Sequence, residues 1–176
     1  KMSKGNTYTV KFRRRREGIT DYYKRLRLLK SGMPRLVIRK FLNTISAQIV
    51  TYSKHGDNVI VSAHSKELND IGWNMSKGNI PSAYLVGLLL GKKALKKNIN
   101  SAILDLGLIT STKGSRIYSA LKGAIDAGID VPCNKEVLPA ENRIKGNHIM
   151  EYSKQRNMQC NIGKLFEEVK DKIERL

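Results

Sequence analysis

The chain has 176 residues, a mass of 19.9 kDa and 33 Lys and Arg against 15 Asp and Glu, which gives a formal net charge of +18 at pH 7. This length allows one domain of ordinary size with extensions. The sequence pI near 10.1 argues against a cationic partner and predicts a polyanionic one, of which nucleic acid is the commonest in a cell.

The expected cellular setting follows from the apolar runs and the cysteines. The polar, basic start predicts no secretory signal, and the longest apolar run, Ala83 to Leu90, is far shorter than the ~20 residues that span a bilayer. Cys133 and Cys160 form neither a C-x-x-C pair nor a disulfide framework. We therefore expect a cytoplasmic protein with no membrane partner. Our prediction also includes no metal or other cofactor and no small-molecule substrate.

Positive charge is concentrated at the start of the chain. The first forty residues contain fourteen Lys and Arg against two acids. Residues 1–32 are predicted to form a basic arm, extended at first and ordered only by a partner, with a short amphipathic helix from Thr20 or Asp21 to about Lys30. A charge run alone is typical of a solvated, disordered arm. Arginines that pair with phosphate and tyrosines that stack on unpaired bases favour RNA binding instead.

Residues 33–130 are predicted to form a mixed α/β domain. Alternating apolar and β-branched residues predict strands at 36–39, 45–49 and 59–63, with a turn at 55–58 before the third, which together make an antiparallel meander. A short helical turn from Lys66 to Ile71 and a loop then lead to a helix from Pro81 to about Lys97. This helix has a ridge of small residues that would allow close approach to a neighbouring sheet: Ala83, Gly87, Gly91 and Ala94.

A further buried strand at 101–106 and a second helix from Ser115 to Ala127, ended by Gly128, complete the predicted domain. Residues 131–176 are predicted to be a helical extension, with one helix over 140–153 and another over 161–176. The apolar stripe of the last helix packs either on its own domain or on a partner. The fold class is thus α/β, a mixed sheet of three antiparallel strands and a further strand, covered by helices.

Several polar groups suggest specific contacts. Thr112 to Arg116 joins a strand to a helix start, where open amides, a glycine and two cations would seat a phosphate. The segment lacks the GxxxxGK[ST] order of a nucleotide-binding loop. The lysines at 92, 93, 96 and 97 suit either a helix C-terminus or RNA, and His64 suits either a cap or an RNA contact.

A metal-dependent RNA-processing enzyme is an alternative of another class. It would use Asp105 on a central strand and further acids to hold two Mg²⁺ ions, although no spacing motif supports it. The other acids considered are Asp57, Glu67, Asp70 and Asp126. A third interpretation is a basic protein that binds nucleic acid or anionic membranes without specificity.

Seven segments in order and at consistent spacing resemble one known family. They are RRRREGITDYYKRL from Arg13, PRLVIRK from Pro34, ISAQIV from Ile45, AYLVGLLLGKKA from Ala83, LDLGL from Leu104, TKGSR from Thr112 and ALKGAIDAG from Ala120. From about Thr7 to about His148 the chain resembles the 5S-rRNA-binding protein of the large ribosomal subunit in its archaeal form, the ribosomal L-eighteen family.

The resemblance implies a non-catalytic α/β domain that binds 5S rRNA and helps attach it to 23S rRNA, beside other proteins of the central protuberance. It implies that the arm lies between RNA helices and that the first hairpin and the strand-to-helix loop touch 5S rRNA. Family members often have a polar Ser-Asn-x-His-like hairpin tip, whereas this chain has Phe41 and Leu42, whose contacts would be stacking or packing. From the charges and the resemblance together, the expected RNA-binding residues are Arg13, Arg14, Arg15, Arg16, Tyr22, Tyr23, Lys24, Arg25, Arg27, Arg39, Lys40, Asn43, Thr44, His64, Lys92, Lys93, Thr112, Lys113, Gly114, Ser115 and Arg116.

Overall fold

A four-stranded mixed sheet is the centre of the fold. The structure, a computed structural model, describes Gly5, residues 8–156 and residues 161–176. The sheet order is β3-β2-β1-β4, with β1–β2 and β2–β3 antiparallel and β4 parallel to β1, which confirms the predicted meander with a further strand. The strands are β1 (Arg35–Lys40), β2 (Ile45–Ser53), β3 (Gly56–His64) and β4 (Ile103–Asp105).

Alternation along the strands gives the sheet two different faces. On β1, Leu36 and Ile38 are buried in the core, whereas Arg35, Val37 and Arg39 are on the outer face. The turn predicted at 55–58 is present but lies earlier, at Lys54 and His55, because β3 already begins at Gly56. A short connection of this kind is typical of a hairpin, and polar strand residues beside it are easily mistaken for a loop.

Two helices cover the inner face of the sheet. Helix α4 (Ile80–Leu95) begins where the side chain of Asn79 accepts a hydrogen bond from the Ser82 amide, with Pro81 in its first turn. Helix α5 (Arg116–Asp126) packs beside it and ends before Gly128, whose φ of 113° favours glycine. Both predicted helices are confirmed, as is the helical turn before them, α3 (Leu68–Ile71).

The two glycines of the small-residue ridge on α4, Gly87 and Gly91, face α5 and not the sheet as predicted. A methyl group at Gly91 would lie 2.3 Å from Cβ of Ala127, and one at Gly123 of α5 would lie 2.1 Å from the carbonyl oxygen of Tyr84. The two helices therefore approach to backbone contact, while larger side chains of α4 fill the space above the strands. Small-residue spacing shows that something approaches a helix closely, but not what approaches it.

The C-terminal part differs from the prediction in one element. Instead of one helix over 140–153 there are two, α6 (Glu141–Ile144) and α7 (Asn147–Gln155), after a 3-10 turn at Lys135–Val137. The two helices are separated at Gly146, because its φ of 80° is incompatible with a regular right-handed helix.

The last helix, α8 (Ile162–Glu174), packs on its own domain, which was one of the two alternatives. Phe166, Val169 and Ile173 are buried in the common core, and the ring centroids of Phe166 and Tyr84 on α4 lie 5.6 Å apart. The division into arm, domain and extension remains a prediction.

The basic arm contains a helical turn upstream of the predicted helix, where an extended chain was expected. Arg13–Arg16 form a helical turn, α1, and the predicted helix is α2 (Tyr22–Lys30), capped by the Asp21 side chain, which accepts from the amides of Tyr23 and Lys24. Three contacts hold α1 against the start of α2. They are Phe12 with Tyr22 at 5.3 Å between ring centroids, Arg15 above the Tyr23 ring at 4.9 Å, and Arg14 Nε donating to Thr20 Oγ1 at 2.9 Å.

In the described ranges, no helix is both long and apolar enough to cross a membrane. Cys133 is half-buried and unbonded, and Cys160 lies outside the described residues.

Candidate nucleic-acid interface

The arm crosses the outer face of the sheet and encloses a cavity of about 370 Å³ with it. Cations from the arm and from β1 face one another across this space, with three carboxylates among them. The charged residues that line the cavity are Arg14, Lys24, Arg25, Arg35, Arg39, Asp21, Asp57 and Asp105.

An ionic network joins the arm to the sheet through this cavity. Arg25 of α2 donates two hydrogen bonds to the carboxylate of Asp57 on β3, at 2.9 and 2.7 Å. Arg35 on β1 lies 2.7 Å from Asp57 through Nη2 and donates to Asp105 Oδ2 through Nη1 at 2.9 Å. Hydrogen bonding from Arg25 lowers the pKa of Asp57 below its ordinary value, against the opposing effect of burial. The pairs on Asp57 and Asp105 thus tie α2, β1, β3 and β4 together.

Asp105, the residue on which the enzyme alternative depends, is part of this network. Its carboxylate also accepts a hydrogen bond from the Gly107 amide at 2.8 Å, and its main-chain carbonyl accepts one from Arg39 Nη1 at 2.9 Å. Glu67 and Asp126 make contacts of their own, with Lys93 and Lys122 respectively. Over residues 8–156 and 161–176, no three His, Cys, Asp or Glu side chains are grouped so that they could hold a metal ion.

The β1–β2 hairpin and the start of α5 meet at one end of the sheet. Arg116 Nη1 donates to the carbonyl oxygen of Gly78 at 2.7 Å and lies 3.4 Å from that of Phe41. Gly78 is packed so closely under the hairpin that a methyl group there would lie 3.0 Å from the backbone of Asn43. The tip is therefore packed against Gly78 and Arg116, although Phe41 is 55% and Leu42 88% exposed.

The predicted phosphate seat lies beside this tip. Ser115 precedes α5 without making a side-chain capping hydrogen bond, which leaves the first-turn amides of α5 open, whereas the Gly114 amide donates to the Val137 carbonyl. The seat lies in a surface depression of about 540 Å³. The positively charged residues that line this depression are Lys40, Lys113, Arg116 and Arg143. Lys113 lies 4.0 Å from Glu136, and because both side chains are about three-quarters exposed this pair contributes little.

Among the other residues considered for RNA contact, Lys93, Lys97 and His64 have protein partners in the structure. Lys93 donates to Glu67 and to the Ser62 carbonyl, and Lys97 donates to the Ile60 carbonyl at 2.6 Å, so both cover the outer edge of β3. His64 Nδ1 accepts a hydrogen bond from the Lys66 amide at 3.1 Å. Of the two roles considered for His64, a cap or an RNA contact, this contact corresponds to the cap. Lys92 is half-buried on α4. Binding of RNA by these residues remains a prediction.

Most of the predicted site forms one continuous surface. Arg14 and the arm helix line the same cavity as Arg39 on β1. Lys40, the next residue of β1, lines the depression at the phosphate seat. Sequence reasoning missed Arg35, Asp57 as its partner, and Arg143. A charged residue at the head of an apolar strand marks Arg35 as unusual, but no pattern connects it with Asp57 or places Arg143 beside the seat.

Residues 6–100 and 98–134 match the model of a protein family described as "Ribosomal large subunit proteins 60S L5, and 50S L18". The match covers most of the chain and includes the arm, the whole sheet, α4, α5 and the phosphate seat. The chain therefore belongs to this family and is a ribosomal protein of the large subunit that binds ribosomal RNA.

Proposed function

We propose that this protein binds 5S rRNA and helps attach it to 23S rRNA in the central protuberance of an archaeal-type large subunit, beside neighbouring ribosomal proteins. It acts as a structural constituent and catalyses no reaction. The family membership supports a ribosomal role, and the form of the cationic surface supports contact with folded RNA.

The observation that carries the proposal is the arm folded on the sheet. All four side chains of Arg13–Arg16 are exposed on a helical turn that is itself fixed to α2, so their charges are displayed on an ordered support. A solvated tail has no such support. Guanidinium groups at fixed positions match phosphates at fixed positions, which distinguishes a folded RNA from a flexible polyanion.

Three parts of the surface have separate roles in this proposal. The arm neutralises phosphates, and Tyr23, which is 65% exposed, offers a ring that is already covered on one side by Arg15. The open amides of α5 and Lys113 seat a backbone phosphate. The hairpin tip, packed against Gly78 and Arg116, places Phe41 and Leu42 against RNA bases, because apolar side chains this exposed gain from being covered.

A competition titration tests the function. Labelled 5S rRNA is bound to the purified protein at physiological salt, and unlabelled tRNA is added in increasing excess. We expect 5S rRNA to be retained against a large excess of tRNA, since shape and fixed phosphates determine the recognition. Equal displacement by tRNA would show that the charge acts without selectivity and would overturn the proposal in favour of a general RNA binder.

A further inference from the structure

Asp57 is an acid at the centre of a basic surface. The side chain is about a third exposed and faces two arginines, Arg25 from the arm and Arg35 from β1. Each carboxylate oxygen of Asp57 lies within 2.9 Å of an Arg25 nitrogen, which is the bidentate geometry of a strong pair. On the other side, the Arg35 side chain is 3% exposed, so its charge cannot be compensated by solvent.

Apolar contacts alone hold α2 only weakly. None of its nine residues is fully buried, and Leu28 and Leu29 on its inner side are half-buried. A helix of this length is marginal by itself in water and depends on what it packs against. The Arg25–Asp57 pair is the contact between α2 and the sheet that has fixed, two-point geometry, and it is continuous with the buried Arg35–Asp105 pair.

We propose that Asp57 is a positioning residue for RNA binding: through Arg25 it holds α2, and with it α1 and the tyrosines, in the RNA-binding arrangement before RNA arrives. Arg25 then acts mainly as an anchor of the arm, because both of its terminal nitrogens donate to Asp57. An arm ordered in advance loses less conformational freedom on binding, so the complex is tighter. The inference rests on the proposed RNA-binding function.

The proposal reverses a simple expectation from charge. Removing an acid from a protein of net charge +18 should strengthen binding to any polyanion. If Asp57 acts by anchoring the arm, Asp57→Asn should instead weaken binding of 5S rRNA, even though the substitution removes a negative charge and so makes the net charge more positive.

The experiment compares Asp57→Asn with Asp70→Asn, which removes the same charge from an exposed position on α3. Affinity for 5S rRNA is measured at several salt concentrations, and hydrogen exchange is followed at the amides of α2. We expect Asp57→Asn to bind about tenfold more weakly and to exchange faster in α2, with Asp70→Asn as tight as the wild type or tighter. Asp57→Glu should recover part of the affinity, because it restores the carboxylate.

A second variant distinguishes loss of the contact that anchors α2 to the sheet from a general loss of stability. Arg25→Lys keeps the charge but loses the two-point geometry, and it should loosen α2 while the amides of β1 and β2 exchange as in the wild type. Wild-type affinity in Asp57→Asn together with unchanged exchange in α2 would overturn the proposal. The exchange measurement needs no RNA. It therefore tests whether Asp57 anchors the arm even if the titration against tRNA shows that 5S rRNA is not bound specifically.

Discussion

Gly87 of α4 and Ala120 of α5 are in direct backbone contact: a methyl group at Gly87 would lie 1.9 Å from the carbonyl oxygen of Ala120. No rotation of a side chain relieves such an overlap, so Gly87→Ala must push the two helices apart. We expect a loss of at least ~2 kcal/mol in the free energy of unfolding, measured by urea denaturation, although alanine is the better helix former.

Gly163→Ala is the matched control for this prediction. Gly163 lies in α8, and the nearest atoms to an added methyl group belong to the end of the flexible Met150 side chain, at 3.3 Å. We expect this variant to be as stable as the wild type or more stable. Equal stability losses in the two variants would mean that the contact between α4 and α5 is less rigid than the structure shows.

The same contact shows what the sequence could and could not predict about the fold. The periodicity of apolar residues predicted the helices and strands of residues 33–130, because the apolar side chains of these elements pack in the core. The small residues of α4 predicted close packing, but the same spacing fits a helix or a sheet as the partner. The break at Gly146 was missed because glycine inside a helical pattern is tolerated unless tertiary contacts demand a positive φ.

Acid should weaken the fold through Asp57. Its pKa in the folded state is lowered from the ordinary 3.8, with the hydrogen bond from Arg25 as the largest cause. A lowered folded pKa gives stability that is fully present well above pH 3.8 and is lost as the pH falls through that value toward the folded pKa. The free energy of unfolding between pH 7 and pH 2.5 should therefore fall less steeply in Asp57→Asn than in the wild type. Parallel profiles at equal ionic strength would contradict this assignment.

The arginines of α1 should determine the salt dependence of RNA binding. If six to ten phosphates are contacted, affinity for 5S rRNA should fall about 10³- to 10⁵-fold between 50 and 200 mM salt. Replacing Arg13 through Arg16 by Gln should make the logarithmic slope shallower by roughly 3 to 4, since each phosphate contact contributes about 0.9. The measurement is a salt titration of both proteins. An unchanged slope would remove α1 from the interface.

The candidate site could be predicted only where its residues lie close together in the sequence. The arginine run, the lysines and the glycine before α5 are local signals, and they identified the arm and the seat. The Arg25–Asp57 and Arg35–Asp105 pairs join residues 32 and 70 positions apart, so no local pattern reveals them. Asp105 shows the consequence. It was considered as a metal ligand on a strand expected to be central, but β4 is an edge strand of the sheet, and the pairing of Asp105 with Arg35 became apparent only in three dimensions.

Phe41 separates stacking from charge in the interface. Phe41→Ala should weaken binding of 5S rRNA by about 1–3 kcal/mol if the ring covers a base, and the salt slope should stay unchanged because no charge is lost. Leu176→Ala, which truncates a side chain of equal exposure at the end of the chain, is the control and should bind as the wild type does. Unaltered affinity in Phe41→Ala would remove the ring of Phe41 from the RNA interface.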